Sequence, residues 1–198
     1  MQASYPSRQF ILITFVLMLV NAIFFYSILD PENIDFQMSE EGLLEQVQNV
    51  YLALAAVAFL IGGLRHHAEK RMFYIAMSWL MVLFFFREMV VEPHGPISSY
   101  IHSHQFRWHE AIVTVIFAAI YVWRCPSYVK PVMQYVLSPK CWPYYFAAFL
   151  LVMGEVFERQ TQWYYNQFFE ELSECLGYVI LLVLGVCSIL SAKAQHNN

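Results

Sequence analysis

Apolar runs close to twenty residues long recur six times along this chain, and the charged residues are confined to the stretches between them and to their ends. A helix of roughly 20 apolar residues is what crosses about 30 Å of hydrocarbon. The runs lie at about 9–29, 43–64, 72–91, 106–123, 143–159 and 171–190. The fold class they imply is all-α: a polytopic membrane protein, a bundle of six transmembrane helices forming one membrane domain. Composition agrees, since 59% of the 198 residues are hydrophobic and 13% are charged, against about 25% charged in an ordinary soluble domain.

The first run follows a short polar lead with one arginine, Arg8, which has the outline of a signal peptide. It is too long for a secretory apolar core and has no small-x-small exit before Asp30, so it reads as a retained helix. The apolar stretches within the fourth and fifth runs are shorter than 18 residues, and the flanking Trp108, Trp123, Trp142, Tyr144 and Tyr145 suit interfacial belts that restore the length. Between these two runs, RCPSYVKPVMQYVLSPKC is broken by Pro126, Pro131 and Pro139 and is expected as a short amphipathic piece along the membrane surface.

Orientation follows from the basic residues, because Lys and Arg in short connections stay on the cytoplasmic side. Arg8 precedes the first run. Arg65, Lys70 and Arg71 separate the second from the third; Arg124, Lys130 and Lys140 separate the fourth from the fifth; Lys193 follows the sixth. Both termini are therefore expected inside, and every Asp and Glu except Glu69 falls on the opposite face. In a bacterial cell this is the inner membrane with an acidic periplasmic face. No basic nucleic-acid patch occurs, so the expected partners are the bilayer and a lipid or periplasmic molecule. Cys125, Cys141, Cys175 and Cys187 lie at the cytoplasmic loops or within the last run, show no CxxC spacing, and are expected to be free thiols.

The outer ends of five runs carry ionisable groups at one depth. Glu45, Gln48 and Asn49 share a face at the start of the second run, Arg87 and Glu88 close the third, and His102, His104, Arg107, His109 and Glu110 open the fourth. Glu155, Glu158 and Arg159 close the fifth, and Glu170, Glu171 and Glu174 open the sixth. Charges within a span are costly to insert and usually face the bundle interior. Glu45, Glu88 and Glu155 are the candidate catalytic carboxylates; Arg87, Arg107, Arg159 and Glu174 are candidate binding groups. Arg87 and Arg159 are expected as buried partners that neutralise the neighbouring glutamates. His102, His104 and His109 with a carboxylate are a candidate site for a divalent metal such as zinc, although HSHQFRWHE matches no standard zinc spacing.

The inner halves of the runs, by contrast, carry no ionisable residue before the loops. A carrier usually needs polar groups at mid-depth, so a small transporter ranks below two other readings. The first is a membrane-embedded hydrolase acting on a lipid or envelope precursor through an outward-facing acidic cavity. The second is a non-enzymatic binding, sensing or assembly subunit. Ser78, Thr114 and Ser188 have no His or Lys at helical spacing, which leaves a serine nucleophile without support.

Overall fold

The structure, a computed structural model, describes residues 7–28, 43–89, 95–101, 103–160 and 165–196. Among these the regular structure is helical, with no strand. The described helices are α1 (Ser7–Ser27), α2 (Leu43–Arg65), α3 (Ala68–Glu88), α4 (Pro96–Ile101), α5 (His104–Arg124), α6 (Pro126–Val136), α7 (Trp142–Glu158) and α8 (Asn166–His196), with a 3-10 turn at Pro139–Cys141 before α7.

Four of them, α1, α2, α5 and α8, are long and apolar enough to cross a membrane, and α6 with α7 counts as a fifth if that pair, bent by 76°, is one span. The expectation of six spans is met only to this extent. The shortfall is α3. Glu69, Lys70 and Arg71 sit at one end of it and Arg87 and Glu88 at the other, so every 18-residue stretch of this helix contains three charges. The link expected as a surface piece is the helix α6, opened by Pro126, and α8 extends beyond its apolar run at both ends.

The bundle is built around α8, which packs against α1, α2 and α7, while α2 also packs along α3. Each partner turns one stripe inward. On α2 this is Leu44, Gln48, Leu52, Ala55, Phe59 and Gly62, at steps of three and four residues, with Val50, Leu54, Val57 and Leu64 left outside. On α1 it is Phe10, Thr14 and Phe25. α8 buries 61% of its most apolar stretch, whereas α5 buries none, and so α8 is the core helix and α5 the outlier. What joins α5 to α3 is a Trp79 indole donating to Thr114 Oγ1 at 3.0 Å, with Trp79 stacked on Phe117 and Phe86 edge-on to Phe106.

The helices approach one another closely where their facing residues are small. Gly62 meets Ser188, Gly63 meets Ile75, and Gly185 meets Ala58. The pairings also fix direction. Gln48 contacts Glu171 near the starts of α2 and α8, while His66 contacts Ser188 near their ends, so these two helices are parallel. Arg65, Lys70, Arg71 and Lys193 therefore gather at one end of the bundle, the basic end, and Glu45, Arg87, Glu88, Glu171 and Glu174 at the other, the acidic end.

Candidate functional site

The acidic end is organised by one stripe of α8. Glu171, Glu174 and Tyr178 follow at steps of three and four residues, which puts them on one face. Toward α2, the Gln48 amide nitrogen donates to Glu171 Oε2 at 2.7 Å and to the Glu171 carbonyl at 2.8 Å. Gln48 is fully buried, and its amide oxygen has no hydrogen-bond partner among the described residues. Glu45 stands one turn before it on the same face of α2 and is buried as well.

Toward α3, the guanidinium of Arg87 lies between two carboxylates, 3.3 Å from Glu88 Oε1 and 3.3 Å from Glu174 Oε1. Tyr178 donates its hydroxyl to Glu88 at 3.0 Å. Glu174 is 5% exposed and Tyr178 1%. Long polar side chains, with the Phe84 ring tilted against Tyr178, bridge α3 and α8 here. Charge does not balance within this group. Among the described residues, Glu88 and Glu174 share the one guanidinium of Arg87.

Gly154 on α7 gives Glu174 its place. A Cβ at that position would lie 2.7 Å from Glu174 Cγ and 3.1 Å from its Oε1, so the absent side chain is the space the carboxylate occupies. Glu155, the next residue, points elsewhere. It pairs with Arg159 one turn on at 2.7 Å, with the two side chains 45% and 75% exposed. This is a surface ion pair within one helix, of the kind that contributes little. The expectation that both arginines are buried is corrected accordingly: Arg159 lies outside, and Arg87 is 56% exposed with only its carboxylate partners held inside. The reason is geometric, because an arginine at a helix end reaches water by extending its stem.

The candidate residues on α5 are not part of the group. Arg107, His104 and His109 are exposed, and His109 Nδ1 is 2.6 Å from the Tyr100 hydroxyl on α4. His102 lies outside the described residues. Among those described, no three His, Cys, Asp or Glu side chains gather closely enough to hold a metal ion. Of the sequence candidates, then, Arg87, Glu88 and Glu174 come together, Glu45 lies beside the Gln48–Glu171 contact, and Glu155, Arg159 and Arg107 stand apart. No protein-family model, curated protein or solved structure matches the chain.

Two participants were not legible beforehand. Tyr178 sits within an apolar run and reads as a core aromatic; only its position one turn after Glu174 could have drawn notice. His66, at the basic end, is 1% exposed, and its Nε2 lies 3.0 Å from the Ser188 carbonyl and 3.1 Å from Ser191 Oγ. Spacing along one helix gives no hint of a contact made between two helices 122 residues apart in sequence.

Chemically, two carboxylates on one guanidinium with a phenol beside them are groups from which a proton donor and a proton acceptor can be drawn. The Gln48–Glu171 contact fixes the neighbouring wall. Such a pair suits acid–base work on a polar group presented at the end of the bundle.

Proposed function

We propose that the chain crosses a bacterial inner membrane six times with both termini in the cytoplasm, α3 and the bent α6–α7 pair included, and that the acidic end is an acid–base site open to the outer face. The distribution of Lys and Arg supports this orientation, since short basic connections are retained inside. α3 is amenable to spanning because its charges lie only in its terminal turns, where the cost of insertion is lowest.

The activity that fits best is hydrolysis of an ester in a lipid or envelope precursor. The observation that carries it is the convergence of Glu88 from α3 and Glu174 from α8 on Arg87, with Tyr178 on Glu88. One carboxylate takes a proton from water as the water oxygen attacks the ester centre. The bond to the leaving oxygen breaks, and the other carboxyl group gives that oxygen its proton. Arg87 sits where negative charge would develop. The test is lipid analysis of cells that lack the protein and are complemented with the parent, Glu88→Gln or Glu174→Gln at equal amounts of folded protein. An ester lipid that accumulates without the protein, clears with the parent and persists with both variants is the expected result. Full clearance by both variants would discard the hydrolase.

A second reading, an assembly or sensing subunit, is favoured by α5. None of its residues is buried, as expected of a helix that meets a partner protein in the membrane.

A further inference from the structure

At the basic end, the last turn of α2, the turn into α3 and the end of α8 enclose a pocket of about 630 Å³ lined by Leu64, Arg65, His67, Ala192 and Lys193. Its size falls within the roughly 300–1,000 Å³ of small-molecule sites. We propose that it binds the phosphate headgroup of an anionic phospholipid, a site separate from the acidic cluster and independent of the activity assigned to that cluster.

The walls are held in place by buried contacts. His66, between two lining residues, bonds to the Ser188 carbonyl and Ser191 Oγ and lies 5.1 Å from the Tyr74 ring, which ties the end of α2 to α8. Gly62 lets the two helices meet at Ser188 just above. The turn that follows carries Ala68 at φ 53°, the left-handed region a non-glycine residue rarely adopts. These constraints place Arg65 from one helix and Lys193 from another around the same space, with no carboxylate among the lining residues.

Both cations are exposed and so reach a ligand. Arginine offers a planar fork to two phosphate oxygens and lysine a mobile point charge. The apolar neighbours decide between a lipid and free phosphate. Leu64 lines the pocket and is 58% exposed, and Leu190, one turn before the Lys193 end of α8, is 61% exposed. Exposed apolar side chains on α2 and α8 thus adjoin the pocket, where acyl chains would lie while the phosphate meets the cations. Basic pockets between membrane helices are where anionic headgroups are recognised.

The test is titration of the full chain in detergent with phosphatidylglycerol or phosphatidylcholine, reading bound lipid by native mass spectrometry. The parent should prefer phosphatidylglycerol. Replacing both cations, Arg65→Gln with Lys193→Gln, should weaken that binding roughly 20- to 30-fold, while Arg124→Gln, at a position that does not line the pocket, should leave it unchanged. Equal binding by parent and double variant overturns the site, and an equal loss with Arg124→Gln reduces it to diffuse surface charge. Displacement of the lipid by millimolar glycerol phosphate would assign the pocket to a free phosphate instead. Should the double variant fail to fold, the parent still decides, because equal affinity for the two lipids refutes the proposal.

Discussion

Replacing Gly62 by alanine puts a methyl group into the closest approach of α2 and α8. The new Cβ would lie 2.8 Å from Ser188 Cβ, closer still to Ser188 Oγ, and 3.4 Å from the Ser188 carbonyl carbon. Ser188 is fully buried, and its hydroxyl is already committed to the Gly185 carbonyl at 2.6 Å. Because the clash involves Cβ as well as Oγ, rotating the serine does not relieve it, and the helix backbones must separate. Overpacking of this kind costs up to about 3 kcal/mol. Alanine returns about 1 kcal/mol through its higher helix propensity, which leaves a net loss of about 2 kcal/mol. The assay is unfolding of the purified protein in mixed micelles by added denaturing detergent, followed by circular dichroism. Ser188→Gly removes both of the nearest atoms, so adding Gly62→Ala to it should no longer destabilise and should return about 1 kcal/mol through helix propensity, a strongly non-additive cycle. If Gly62→Ala is as stable as the parent, or if the two effects simply add, the close α2–α8 contact is not what holds this end of the bundle together.

Gln48→Leu removes both part-buried bonds to Glu171 and should destabilise by about 1–2 kcal/mol in the same assay; an unchanged midpoint would mean that water replaces the amide. Arg87→Ala should cost about 1–2 kcal/mol, below the value for a fully buried pair because its side chain is 56% exposed, whereas Arg159→Ala should leave the midpoint unchanged; the reverse order would displace the site from Arg87 to Arg159. Gly154→Ala should fold yet shift Glu174, so it should reduce the proposed activity as Glu174→Gln does, and full activity would show that the notch does not position the carboxylate. A reporter fused after Lys193 should behave as cytosolic; efficient activity on the outer side would invert the orientation.

The sequence by itself located the long helices to within about six residues at each end, though not the short α4, and the separation of charge between the two ends of the bundle. These are local properties, since the length of an apolar run and the position of a charge within it set the cost of insertion one segment at a time. It also marked the helix ends at which Glu45, Arg87, Glu88 and Glu174 lie, because position is counted along each helix. Tertiary structure alone decided which helix is central, that Glu88 meets Tyr178, that Gly154 makes room for Glu174, and that His66 closes on Ser188. It equally decided that Glu155 and Arg159 satisfy each other at the surface and that His104 and His109 stay on the outlying α5. The physical reason lies in rotation about the helix axis. In a soluble protein the apolar stripe reports which face turns inward, but a helix in lipid is apolar on both its buried and its outer faces, so the facing residues are selected by close packing between partners.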